Sequence, residues 1–374
     1  MNYSEKCLEL HKKDIKPFTT YDVSKYEQLY INSLSFPIQG KELKDTDSSD
    51  SQRKLKPFVN LEEMYLKLEK EGIKFTDEDI ENSKIILNYI NYHRLSVYRL
   101  FLSEDNKTFS RILQLYYFDE KLKNLISSLI PTIENYIKRS FAYGITKKYE
   151  ENKQISNKKC QFTHASLCYT DMNIYKKEVS ENDIKEMLSI FAEIITSKIG
   201  KDPMIDHHID KYNGNIPIWV LVEFLTLGNI HRLSTSIDRS YRKEWNKALF
   251  KKSKDSILPE WINTIKNLRN MCAHNARLYG SRPIYNPAII DEELELLKMN
   301  KRQNMDENDF LNKSKHTIFA GIIVLKYFYK ELPEYEKNRW KKFIDDLSLL
   351  FYEYNIDLYR IGFPINWKDI LTID

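Results

Sequence analysis

Glycine is scarce in this chain, 9 of 374 residues, where an average protein carries roughly 7%. Neither GxGxxG nor GxxxxGK[ST] occurs, which argues against a glycine-rich phosphate loop and the many tight turns of a dinucleotide fold. Cysteine is sparse as well. Cys7, Cys160, Cys168 and Cys272 show no paired framework of the kind a disulfide scaffold needs. Cys160, His164 and Cys168 offer three candidate ligands in a polar stretch without CxxC, and no metal is expected from them. Apolar runs such as Ile318 to Leu325 fall far short of the ~20 residues that span a bilayer, and no apolar stretch near the N-terminus resembles a signal peptide. The expectation is a soluble, cytoplasmic protein with no membrane partner and no cofactor.

What is abundant points to helices. Lys, Glu, Leu, Ile and Tyr dominate, and apolar residues recur at three-and-four spacing, which predicts an all-α fold. The acidic, serine-rich run Asp45-Thr46-Asp47-Ser48-Ser49-Asp50-Ser51 cannot form a core, so residues 1–55 read as an N-terminal extension with a flexible linker. Residues 56–180 read as one helical region and 181–374 as another, either separate or continuous as one domain over 56–374. Spacing and cap residues predict helices at about 60–72, 77–90, 181–199, 218–226 and 229–238, with Thr76 or Asp77 as a cap and Pro217 at a helix start. A long helix follows from Leu115, bent at Pro131. Two more are expected at about 313–331 and 334–354. Residues of about 150–180 are expected to be loop or irregular, and the pair His207-His208 to lie in a loop.

Charge is unevenly spread. From Arg239 to Arg282 the segment carries +8, and the rest of the chain sums to −4. A polyanion is the natural partner of such a region, although a composition biased toward Lys, Asn, Ile and Tyr also places lysines on solvated helix faces. A second basic and aromatic stretch, with Tyr92, His93, Arg94 and Arg99, could meet RNA bases and phosphates, and Lys138 and Arg139 extend it. The same tyrosines could equally fill a core with the basic tips in solvent.

Within the basic segment lies Leu268-Arg269-Asn270-Met271-Cys272-Ala273-His274-Asn275-Ala276-Arg277. On a helix beginning after Pro259, Trp261, Ile265, Leu268 and Cys272 form one stripe, at about 100 degrees per residue, that faces a core. The same phasing puts Asn270, His274 and Arg277 on the opposite face, with Arg269 on the flank. Guanidiniums grip phosphate in bidentate fashion and stabilise charge on a pentacoordinate phosphorus. An imidazole exchanges protons at neutral pH, and Asn270 can orient it across one turn. No carboxylate cluster for two-metal chemistry lies nearby. The chemistry that fits is metal-independent RNA cleavage by the ribose 2′-hydroxyl, with Arg269, Asn270, His274 and Arg277 as catalytic candidates and Lys266 and Arg282 as RNA contacts. One histidine serves poorly as base and acid on opposite sides of phosphorus, so a composite site across a two-fold homodimer is expected.

Several stretches carry a resemblance. They are Lys56-Pro57-Phe58 leading to Ile90-Asn91-Tyr92-His93-Arg94-Leu95-Ser96, then Tyr116-Tyr117-Phe118-Asp119-Glu120-Lys121-Leu122, Pro217-Ile218-Trp219-Val220 through Leu227-Gly228, Arg269-Asn270-Met271-Cys272-Ala273-His274 with Arg277-Leu278, and Gly362-Phe363-Pro364-Ile365-Asn366-Trp367. In this order they resemble the Abi-like proteins of the abortive-infection D/F type, whose core looks like a HEPN (higher eukaryotes and prokaryotes nucleotide-binding) ribonuclease. The resemblance implies an all-α endoribonuclease toxin of phage defence, with a small non-coding RNA as partner and Arg269 and His274 as its catalytic pair. His93 and Val97 depart from the tyrosine and glycine usual there. Two alternatives stand beside it: a non-catalytic structured-RNA-binding protein using the same basic face, and a nucleotide-modifying enzyme, which would need a carboxylate-bearing domain not seen in the chain.

Overall fold

Leu115, Phe118, Leu122, Ile126, Leu129, Ile133 and Ile137 step by three or four, and all are fully buried. They line one side of a helix that runs unbroken from Phe109 to Lys153 in the computed structural model. The structure describes residues 58–155, 160, 162–252, 254–301 and 306–373, so the expected extension and linker at 1–55 lie outside the described residues. Backbone packing divides the chain into Met1–Lys67 and Leu68–Asp374. The described part of the first unit, 58–67, includes most of helix α1 (Leu61–Lys70).

The described residues of the second unit are mainly helical, as the periodicity predicts. Its helices are α2 (Asp77–Leu87), α3 (Tyr92–Ser96), α4 (Phe109–Lys153), α5 (Glu181–Thr196), α6 (Pro203–Tyr212), α7 (Ile218–Phe224), α8 (Leu227–Ser236), α9 (Arg239–Leu249), α10 (Leu258–Ala273), α11 (Asp291–Lys298), α12 (Glu307–Lys315), α13 (Ile318–Tyr329), α14 (Glu334–Tyr354) and α15 (Trp367–Leu371). Short 3₁₀ turns follow α3 at Val97–Phe101 and lie at Ala165–Thr170 and Met172–Ile174. Among the described residues there is no strand, only the isolated bridges Lys74–Thr108 and Tyr175–Ile237. Nor, among them, is any helix long and apolar enough to cross a membrane.

Helix α4 is the spine, with α7, α9, α10, α13 and α14 packed along it. Pro131 removes one backbone donor from its interior, a change that usually kinks or breaks a helix. Two nearby carbonyls take donors from other helices: Arg339 of α14 donates to that of Ser128, and the Tyr329 hydroxyl of α13 donates to that of Leu129 at 3.1 Å. Further along, Gly144 lets α9 come very close, since a Cβ there would lie 2.5 Å from Trp245 Cα. The Trp245 indole N–H donates to Ser140 Oγ at 3.1 Å across the same crossing. Helix α13 is buried on every side, which is why its run Ile318 to Leu325 is apolar without periodicity.

Two local expectations need correction. His207 and His208 lie within α6, because Asp202 accepts from the Met204 and Ile205 N–H groups and Pro203 occupies the first turn, a strong helix start. The stretch expected to be loop or irregular at 150–180 is irregular where described, apart from the last turn of α4 at its start and the two 3₁₀ segments. The helix expected at 313–331 is two, because Thr317 breaks the pattern and caps α13 by accepting from the Ala320 N–H.

Candidate active site

The inward stripe of α10 is as its spacing predicts: Trp261, Ile265 and Leu268 are fully buried and Cys272 nearly so. The outward face carries half-buried Lys266 and Asn270 and exposed Arg269. Arg269 Nη1 donates to Asn270 Oδ1 at 3.3 Å.

The helix ends at Ala273, and the predicted phasing ends with it. His274 is the cap, and Asn275 takes the left-handed conformation with φ of 52°. The Asn275 N–H donates to the Cys272 carbonyl at 3.2 Å and the Ala276 N–H to that of Met271 at 2.8 Å. This pair of bonds is a Schellman stop with asparagine in the place glycine usually takes. The expectation that Asn270, His274 and Arg277 share one helical face is therefore corrected. His274 is exposed at the helix end, while Arg277 turns inward beyond it.

The inward turn has a buried receiver. Asp119, fully buried on α4, accepts from the Leu278 N–H and the Tyr279 N–H, each at 2.8 Å, and from the Tyr98 hydroxyl at 2.9 Å. Burial pushes the Asp119 carboxyl above its usual range, against the two N–H groups and the Lys123 ammonium, which pull it down. One turn along α4, buried Lys123 donates to Asn275 Oδ1, and burial holds its ammonium below the usual lysine range. From α3, Arg94 Nη1 donates to the Asn275 carbonyl at 2.7 Å.

Arg277 completes the clamp. Its guanidinium donates to the Tyr279 carbonyl and sits 4.9 Å over the Phe101 ring, and burial lowers its pKa. Gly280, at φ of 67°, closes this corner because a Cβ there would lie 2.4 Å from Phe101. Asp119 and Lys123 are not among the sequence-predicted site residues. The signal was present, since an acid and a base at i and i+4 interrupt the apolar stripe of Leu115, Phe118 and Leu122.

The sequence-derived RNA contacts fall into two groups. His93, Arg94, Arg139 and Arg282 are exposed, and Lys266 is half-buried beside His231 of α8. Tyr92 is buried with its hydroxyl donating to Glu71 Oε1, and Arg99 lies 3.0 Å from Glu71 Oε2. Lys138 is also buried, 2.9 Å from Glu134 and donating to the Glu223 carbonyl at 3.4 Å. Among the described residues no group of three His, Cys, Asp or Glu side chains is placed to hold a metal ion.

The arrangement presents a guanidinium and an imidazole to solvent, with a half-buried amide between them, at a helix end anchored from below. Such a set can bind a phosphate and transfer protons around it. Comparison with curated proteins and with solved structures gives no match. The sequence model for the Abi-like protein family matches residues 85–280, from the end of α2 through α10 and its anchored turn. That span is more than half of the chain and suggests a part in abortive infection, a phage defence; the chain belongs to the Abi-like protein family.

Proposed function

We propose that this protein is a metal-independent endoribonuclease of the HEPN type, acting as a toxin of abortive infection and restrained by a small non-coding RNA. One observation carries the reading. Arg269 and His274 stand exposed, with half-buried Asn270 between them, at a helix end whose following turn is held from beneath by buried charged groups, Asp119 and Lys123. Burying charged and polar groups is costly unless they are well partnered, so their use under a solvent-facing turn suits a turn that must keep its shape.

In the proposed reaction the ribose 2′-oxygen loses its proton to a base and bonds to the adjacent phosphorus. The bond from phosphorus to the 5′-oxygen breaks, and that oxygen takes up a proton. Arg269 stabilises the charge on the equatorial oxygens and His274 carries a proton. Arg277, turned inward, positions the loop rather than touching phosphate. With one such motif per chain, base and acid come from two protomers of a homodimer. His93, Arg94, Lys266 and Arg282 contact the RNA backbone, while Tyr92, Arg99 and Lys138 support them from within the fold.

The test is product analysis on a short RNA in the presence of EDTA. Ends bearing 2′,3′-cyclic phosphate and 5′-hydroxyl are expected, with a 2′-deoxy substitution at the cleaved position blocking the cut. Cleavage that requires a divalent ion or leaves 3′-hydroxyl ends refutes the mechanism. Tight, salt-dependent binding without cleavage leaves a non-catalytic RNA-binding protein. Mixing the parent with an excess of His274→Ala protein should silence the parent chains, because each cut needs a histidine from both protomers.

A further inference from the structure

Four of the 5 tryptophans are buried; Trp219 alone is exposed, at 51%. It lies on α7 and forms one wall of a groove against α4, with a cavity volume of about 450 Å³, whose other wall is Tyr143, itself 53% exposed. Ala142 and Val222 make the apolar floor, and Arg139 and Lys147 stand on the α4 side. The volume is that of a small-molecule site, of the order of one nucleotide.

The charges tip toward an anion by one: Arg139, Lys147, Lys148 and Lys247 stand against Glu151, Glu223 and Glu244. The Arg139 guanidinium lies 5.1 Å over the Tyr143 ring, which fixes a cation at the groove without neutralising it. Where the groove continues between α4 and α9 it meets Lys147, Lys148 and Lys247. The acids there are accounted for: buried Glu244 is shared by Lys147 at 2.5 Å and Lys247 at 2.9 Å, and Glu151 lies 3.0 Å from Lys148. Glu223 is the acid of the apolar part and offers an acceptor to base N–H groups.

We propose that the groove between α4 and α7 binds an unpaired nucleotide of single-stranded RNA, stacking its base on Trp219 and holding its phosphate with Arg139. Stacking on an exposed aromatic beside a fixed cation is how single strands are gripped without a sequence code. The groove is separate from the candidate active site. Tyr143 follows Lys123 by twenty residues along α4, roughly 30 Å at about 1.5 Å per residue. It is an anchoring site that selects unpaired RNA and directs a distant stretch of the same strand to His274. The proposal rests on RNA being the ligand, though not on the chain cleaving it.

The probe is a labelled, fully 2′-O-methylated single strand of about 12 nucleotides, within the usual range for single-strand sites, titrated against the full chain by fluorescence anisotropy at two salt concentrations. Trp219→Ala is expected to weaken binding about tenfold. Arg139→Gln should weaken it and reduce the salt dependence by about one ion. Trp219→Phe should bind close to the parent, and a duplex of the same sequence should compete poorly. Parent-like binding by both Trp219→Ala and Arg139→Gln overturns the proposal. So does a change of oligomeric state in Trp219→Ala without RNA, which would make the groove an interface between copies. Because a 2′-O-methyl strand cannot undergo 2′-hydroxyl attack, the two readings fail separately. A chain that cleaves nothing yet shows the Trp219 dependence keeps the groove and loses the catalytic reading; cleavage with no Trp219 dependence in binding does the reverse.

Discussion

The two sides of the turn that ends α10 differ in what their polar residues are for. Outside, Arg269 and His274 are exposed, and Arg269 makes a single 3.3 Å bond to its neighbour Asn270. Inside, Asp119 and Lys123 are buried and bonded to Leu278, Tyr279 and Asn275. Removing an exposed polar group costs little stability, whereas stranding the partners of a buried one costs a great deal. Activity and stability should therefore separate cleanly on the outer side and fall together on the inner side.

The largest expected effect is on the outer side. Arg269→Ala should lower RNA cleavage by at least ~100-fold and leave the unfolding free energy within about 0.5 kcal/mol of the parent. A variant that loses both would place Arg269 in the inner class. Next, Asp119→Ala strands two backbone N–H groups and the Tyr98 hydroxyl. Chemical denaturation should show a loss of about 3 kcal/mol or more, from ~1–3 per stranded group, together with reduced cleavage. Unchanged stability would mean that the clamp holds nothing.

Asn275 sharpens the comparison further, because both Asn275→Gly and Asn275→Ala delete the bond to Lys123 while only alanine strains the left-handed backbone. Alanine should be the less stable of the two by about 1 kcal/mol, and equal melting curves would argue that φ does not matter there. The smallest effect concerns Glu244, far from the turn. Burial pushes its carboxyl up, but the hydrogen bonds from Lys147 and Lys247 outweigh this and leave it below the ordinary range. A depressed pKa gives stability that is present above the ordinary glutamate value and is lost as pH falls through the lowered one. Stability of the parent should therefore fall with acid over that window, and Glu244→Gln should show a flatter acid limb. Parallel curves would remove Glu244 from the account.

Much of this molecule was legible from local pattern. Three-and-four spacing gave the helices, and the inward stripe of Trp261, Ile265, Leu268 and Cys272 needed no tertiary knowledge. The capping box at Thr76 and Asp79 likewise starts α2 where the sequence suggested. The end of α10 is not legible in this way, because in a glycine-poor chain asparagine takes the left-handed stop. Asn213, Asn275 and Asn355 do so at the ends of α6, α10 and α14. Missing that stop carried the helical phasing past Ala273 and put Arg277 on the wrong side. The clamp was hidden for another reason. Asp119 and Lys123 meet residues more than 150 positions away, and only the folded chain brings α4 under the turn. The groove of Trp219 and Tyr143 depends in the same way on α7 lying against α4.

The separation of the two sides is tested most directly by measuring RNA cleavage and unfolding on one preparation of His274→Ala beside the parent. Cleavage to cyclic-phosphate ends should fall by at least ~100-fold while the denaturation midpoint stays where it is. Cleavage at the parent's rate by a folded His274→Ala protein would contradict the assignment of chemistry to the exposed side of the turn.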